Sequence, residues 1–241
     1  MRRVLSAFLL AALLCGCSRK PQDGRALFAQ VRPQSDAIIA NPSGATPKRV
    51  ARVARVLEAL VEKQQGQLGA GMAQEALGKI YLARGEPAKA RAYFEQIPWY
   101  YRQYYDLCMK SLVYIGQTYE AELNWDAAEK AYQAIDDYYP WSPLWADAKL
   151  FAGQMYEGHG DTERATQAYK RAILVLMRRA ADAPSPEMEA RLRMKLATAH
   201  ERIGERQAAI AVLEAIVKEF PDRPEARDAQ AKLDQLASSS P

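Results

Sequence analysis

Apolar residues recur three and four positions apart through most of this 241-residue chain, and strict alternation never lasts more than a few residues. That spacing lines apolar side chains along one face of a helix and predicts an all-α fold. The first clear stripe follows Thr46-Pro47, a helix start with Thr as N-cap and Pro in the first turn. It runs through Val50, Val53, Leu57, Leu60 and Val61, and leaves Lys48, Arg49, Arg52 and Arg55 on a basic face outside it. That face is read either as solvated or as turned to anionic headgroups. Pro224 opens a last helix with Ala226, Ala229, Leu233 and Leu236 on one side and charge on the other, as a terminal cap requires. Residues 18–45 mix Pro, Gly, Ser and short apolar patches, and read as a tether with one partial helix.

The stripes repeat. Leu77-Gly78-x-x-Tyr81 is followed by Gly85, Ala90 and Phe94; Ile115-Gly116-x-x-Tyr119 by Asn124, Ala128, Tyr132 and Pro140. Ala152-Gly153-x-x-Tyr156 leads to Gly160, Ala165 and Tyr169, and Leu196-Ala197-x-x-His200 to Gly204, Ala209, Leu213 and Pro221. The anchors Tyr81, Tyr119, Tyr156 and His200 fall 38, 37 and 44 residues apart. Each position has a physical reason. The small residue lets two antiparallel helices approach, and the ring three residues later fills the wedge beside that contact. Gly85, Gly160 and Gly204 sit where the chain leaves the first helix in a left-handed turn, a duty assigned to Asn124 in the second unit.

This pattern resembles the tetratricopeptide (TPR) repeat, a unit of about 34 residues carrying Leu-Gly-x-x-Tyr, Ala-x-x-x-Phe and Pro. The resemblance covers residues 71–221 and implies a right-handed α-solenoid of antiparallel helix pairs, expected over 46–237. It departs from the pattern where Gln74, Leu112, Lys149 and Arg193 replace the early Trp, and Pro closes only two units. The resemblance also implies a concave groove lined by the first helix of each unit. The family's groove-facing positions fall on Lys110, Val113, Gln117 and Glu120 in the second unit. In the third they fall on Asp147, Leu150, Gln154 and Glu157, and in the fourth on Arg191, Met194, Thr198, Glu201 and Arg202. That set is mixed in charge, without the dense Lys/Arg clamp that chaperone-type TPRs use for a terminal carboxylate.

The N-terminus adds a compartment. Arg2 and Arg3 precede an apolar run from Val4 to Leu14, too short for the ~30 Å hydrocarbon core of a bilayer but suited to a secretory signal. Leu14-Cys15-Gly16-Cys17 resembles the lipobox of bacterial lipoproteins, which implies a signal peptide at 1–16 and acylation (palmitate) of Cys17. An ordinary signal with incidental cysteines is the alternative. Ser18 after the Cys implies the outer membrane, facing the periplasm. Loss of Arg2 and Arg3 would lower the net charge from +4 to +2. Cys108 would then be the one unmodified cysteine, so no intrachain disulfide is expected, and its apolar neighbours suggest a core position.

Chemistry is sparse. The chain has two histidines and lacks a Gly-rich phosphate loop, a His-Glu-x-x-His and a Gly-x-Ser-x-Gly. His159 reads as a solvated turn rather than a metal ligand, His200 as a packing residue, and Asp136-Asp137 has no placed catalytic partner. No enzyme, cofactor or metal is expected, and an exported chain of low net charge argues against nucleic acid. Aromatics are unevenly spread: 15 of 22 lie between Tyr93 and Trp145. The repeat explains Phe94, Tyr119 and Tyr132, but not Trp99, Tyr100, Tyr101, Tyr104 and Tyr105, nor Tyr138, Tyr139, Trp141 and Trp145. Two readings stand for these rings: filling of enlarged junctions, or a protein-binding hot spot. The layout resembles TPR lipoproteins of outer-membrane assembly, pilotin and cell-wall hydrolase adaptor type. The expected role is an envelope scaffold for protein partners; the alternative is a periplasmic glycan- or lipid-binding protein using the Trp/Tyr clusters. Residues 238–241 read as a tail.

Overall fold

The computed structural model describes residues 23–139 and 145–238, and among them every regular element is a helix. Two compact units divide the chain, residues 1–131 and 132–241.

The first unit contains α1 (Gly24–Ala40), α2 (Pro47–Lys63), α3 (Leu68–Ala83), α4 (Pro87–Glu95), the single turn α5 (Ile97–Tyr100) and α6 (Tyr105–Ala121). Helix α3 packs on α1, α2, α4 and α6, so it touches the first helices on either side of it as well as its own pair-mate α4, the plan of a helical-repeat solenoid. Thr46 caps α2 as expected, its Oγ1 accepting the Arg49 N–H at 3.3 Å. Gly78 is the close-approach point of α3 and α4: a Cβ there would lie 2.5 Å from the Phe94 ring. Cys108 is fully buried.

The expected tether over 17–45 differs from what is found. Residues 24–40 form the 17-residue helix α1, capped by Asp23 and packed on α2 and α3. Its buried face is Leu27, Phe28, Val31 and Ile38, a helical spacing hidden by Pro33 on the exposed side. Glycines bring α1 in closely, since a Cβ on Gly69 of α3 would fall 2.0 Å from the Gly24 carbonyl carbon. The Arg84 guanidinium then ties the two inter-helix turns together by donating to the Pro42 carbonyl at 3.3 Å. With α1 and α2 counted, a further helix pair precedes the first repeat legible in the sequence.

Helix α7 (Trp125–Tyr138) runs through the boundary between units. The second unit continues with α8 (Trp145–His159), α9 (Thr162–Ala181), α10 (Pro186–Arg202), α11 (Arg206–Glu219) and α12 (Pro224–Ser238). First helices again meet, α8 with α10 and α10 with α12, and α12 closes the stack over Ala190, Ala197, Leu213, Ile216, Phe220 and Ala229. Gly153 is covered by Tyr169 as Gly78 is by Phe94. Gly85, Gly160 and Gly204 have φ of +73°, +86° and +79°, as their place in the turn requires. In the α6–α7 turn, however, Leu123 takes the left-handed conformation at φ +59°, while Asn124 caps α7 through an Ala127 N–H at 3.3 Å.

No helix among the described residues is long and apolar enough to cross a membrane. The expected signal at 1–16, Cys17 and Trp141 lie outside the described residues.

Candidate functional site

Helices α1, α3 and α6 of the first unit line a groove of about 360 Å³. Phe28, Ile39, Met72 and Ala76 give it an apolar lining, and Arg32, Asp36, Glu75, Lys79, Lys110 and Tyr114 supply polar groups. Four of its five charged groups are paired along single helices: Arg32 with Asp36 at 3.4 Å on α1, and Lys79 with Glu75 at 3.7 Å on α3. Lys79 also lies 5.4 Å from the centre of the Tyr114 ring, a cation–π contact. Burial pulls the Lys79 pKa down, but Tyr114, Glu75 and Asp36 together outweigh it and hold the ammonium above its usual range. Tyr114 is itself fixed by stacking on Phe94 at 4.9 Å. Lys110 is exposed at the edge, in the groove as the family pattern implies, with Val113 and Glu120 half-buried and Gln117 exposed on the same helix.

Sequence reasoning did not select Met72, Glu75, Lys79 or the residues of α1. The signal was present. Lys110, Val113 and Gln117 stand six and three residues before Gly116 and one after it; the same offsets from Gly78 give Met72, Glu75 and Lys79. On α1, Arg32 and Asp36 flank the fully buried Ser35 in the same way, and Ser35-x-x-Ile38 occupies the place of Gly-x-x-Tyr. Tyr114 carries no such signal.

The second unit uses the corresponding positions differently. Lys195 of α10 pairs with Asp147 of α8, Arg202 of α10 with Glu157 of α8 at 3.0 Å, and Lys232 of α12 with Glu201 of α10 at 2.8 Å. Glu157 also accepts a hydrogen bond from the Tyr169 hydroxyl at 2.8 Å, and burial, together with this bond, raises the Tyr169 pKa. Met194 packs against the terminal core, and Thr198 donates to the Met194 carbonyl at 3.0 Å. Leu150, expected in the groove, is buried at 3% exposure, and Arg191 pairs with Glu187 within α10. Gln154 stays exposed. These first helices are thus cross-linked by their own side chains.

The aromatic residues divide. Trp99 is 82% exposed, with Tyr100, Tyr105 and Tyr138 also exposed and Tyr104 and Tyr139 half-buried. Tyr101 and Trp145 are corrections to the expected binding set, because both are buried. Tyr101 lies over Gly71, and its carbonyl accepts the Cys108 thiol at 3.3 Å; burial raises its phenol pKa to about 12. Trp145 lies beneath Lys149 and Arg179, each about 5 Å from its ring. The segment around α5 is held rigidly by buried Ile97 and Tyr101 and by Gln103, whose amide donates to the Gly66 carbonyl at 2.6 Å. Trp99 and Tyr100 therefore project from a fixed base.

Among the described residues no group of three or more His, Cys, Asp or Glu side chains is placed to hold a metal ion. The His200 side chain is 12% exposed, with its Nδ1 2.7 Å from a Glu205 carboxylate oxygen.

No curated protein matches the chain. Among solved structures, BtubC (BKLC) from P. vanneervenii aligns over 96% of this chain and 90% of its own at 16% identity, with a TM-score of 0.53. A putative kinesin light chain from Podosopora anserina with nearly identical TPR-like repeats covers 90% of this chain and all of its own at 17% identity, with a TM-score of 0.46. At these identities the likeness is one of fold. Tetratricopeptide repeat models match residues 49–102 and 115–186, over half the chain, and a further one matches 190–233. With helix pairs, close-approach glycines and left-handed turns lying within those matched residues, the chain belongs to the tetratricopeptide repeat family.

Proposed function

We propose that this protein is a lipid-anchored scaffold of the bacterial cell envelope that holds a segment of a partner protein in the groove of α1, α3 and α6. Repeats of this kind bind protein partners, and the observation that carries the finer reading is where the open groove lies. Three consecutive first helices line it with both apolar and charged groups, and their ion pairs run along the helices rather than across the gap. An amphipathic helix or extended strand presenting apolar and acidic residues suits that lining. Trp99, Tyr100 and Tyr105 extend the contact surface, as exposed rings on a fixed base. The role is one of holding, without catalysis or cofactor.

The compartment rests on Leu14-Cys15-Gly16-Cys17. Acylated Cys17 tethers the solenoid, with the outer membrane facing the periplasm as the expected site. Envelope proteins, among them outer-membrane or secretion components, are the expected partners.

Photo-crosslinking tests the groove. A crosslinkable residue at Met72 or Lys110 should capture the same envelope protein, and one at Gln154 should not. Equal capture at all three positions, or capture at Gln154 alone, would remove the groove from the proposal. Incorporation of labelled palmitate that is abolished by Cys17→Ser tests the anchor separately.

A further inference from the structure

The outer stripe of α9 combines two features that solenoid packing leaves unexplained. Leu174 is 70% exposed and Met177 53% exposed, one turn apart on the same face. Between Gln167 and Ala181 this helix carries Lys170, Arg171, Arg178 and Arg179 and not a single carboxylate. Lys170, Arg171 and Arg178 are exposed on the same stripe as Leu174 and Met177, while Arg179 turns inward over Trp145. Basic residues in the last turn complement the helix dipole, which accounts for Arg178 without accounting for the two exposed apolar side chains.

The basic face of α2 sharpens the contrast. Lys48, Arg49, Arg52 and Arg55 are all exposed, but the large apolar residues among them, Val50, Val53 and Val56, are buried. That face is charge alone, as a solvated helix surface is. On α9 the apolar pair is flanked by cations, Lys170 and Arg171 about one turn before Leu174 and Arg178 directly after Met177.

We infer that the outer face of α9 rests on an anionic membrane surface, with Leu174 and Met177 entering the headgroup layer and Lys170 and Arg178 meeting lipid phosphates. Charge complementarity selects this occupant: the cations are spread along a stretch of helix that has no carboxylate of its own, and an anionic bilayer offers charge at every point of contact. Each side chain enters a lipid surface independently, so two apolar residues suffice without a matching pocket. The inference rests on the chain being held at a membrane, where a weak surface contact would orient the solenoid rather than recruit it.

The test uses residues 17–241 with Cys17→Ser, which keeps every described residue and removes acylation, so that failure of the anchor reading and failure of this one are read separately. Vesicles of phosphatidylcholine containing about one-third phosphatidylglycerol should co-sediment the protein, pure phosphatidylcholine should not, and salt should weaken the binding. Leu174→Ser/Met177→Ser and, independently, Lys170→Glu/Arg178→Glu should each lower vesicle affinity about tenfold with helicity unchanged. Lys48→Glu/Arg52→Glu should leave it within about twofold. Absence of binding to anionic vesicles, equal binding by the α9 variants, or an equal loss from the α2 variant would overturn the inference. So would α9 variants that lose a protein partner while keeping vesicle affinity.

Discussion

Both units stack first helices on first helices, yet they spend their charged residues in opposite ways. In the first unit the groove-side pairs, Arg32–Asp36 and Lys79–Glu75, run along α1 and α3 and leave the space between helices open. In the second, Asp147–Lys195, Glu157–Arg202 and Glu201–Lys232 reach across from helix to helix. An intrahelical pair organises one surface, whereas an interhelical pair occupies the surface that a partner would use. The family fixes where groove positions fall. It does not fix whether the residues there face a ligand or each other.

The largest effect should come from breaking the packing that makes the first unit's groove three helices wide. Gly69→Ala places a methyl against the Gly24 backbone, which cannot yield as a side chain can. A loss of about 2–3 kcal/mol is expected by chemical denaturation, with the groove crosslinks at Met72 lost as α1 moves away. Gly158→Ala in α8 is the matching control in the other unit. Nothing lies within 4 Å of that position, so a gain of about 0.5–1 kcal/mol is expected. Equal effects from the two would mean that α1 is not held by close backbone contact.

Much of this architecture was legible in the sequence because a repeat states each rule several times. Gly78 and Gly153, Gly85, Gly160 and Gly204 do in the structure what their spacing implied. The failures lie where one residue stood in for another. Ser35 and Ile38 serve in α1 where other units use Gly and Tyr, so that pair read as a tether. Leu150 was assigned to the groove because positional rules say which way a residue faces in an average repeat, not how thick the neighbouring layer is. Tyr101 lies outside the repeat pattern, which left junction filling and binding both open, and its burial decides for the first.

Leu123 is a case of the same kind, since Asn124 was the expected left-handed residue. For a bulky L-residue that conformation costs about 1–2 kcal/mol. Leu123→Gly should therefore stabilise the protein by about 1 kcal/mol, and Gly204→Leu in the second unit should destabilise it by about 1–2 kcal/mol. An unchanged melting temperature in both variants would show that these turns carry no strain.

Lys149 distinguishes the units by pH. Burial, with Arg179 nearby, lowers its pKa to about 8 from 10.5. Below pH 8 the folded protein holds a charge in an unfavourable place. Between 8 and 10.5 the unfolded chain keeps a proton that the folded one has released, so stability rises with pH across that window. The rise should be about 1 kcal/mol once solvent screening is allowed for, and Lys149→Met should flatten it. Burial has the opposite consequence for Tyr101 in the first unit, whose raised pKa makes stability fall above pH 10. Denaturation at about pH 7.5, 9, 10 and 11.5 separates the two trends, the rise lying below pH 10.5 and the fall above pH 10.

The smallest stability effect bears most directly on the contrast between the units. Glu157 and Arg202 are both substantially exposed, so a double-mutant cycle of Glu157→Gln and Arg202→Met should give a coupling below about 1 kcal/mol. The Tyr169 hydroxyl keeps an acceptor in the Gln variant, which limits the single-mutant loss. What should change is access. With the Glu157–Arg202 and Asp147–Lys195 links both removed, a crosslinker at Gln154 should begin to capture the partner that Met72 captures. If Gln154 stays silent in that variant, ion pairing is not what closes the second unit, and the difference must lie in the depth of its apolar lining around Leu150.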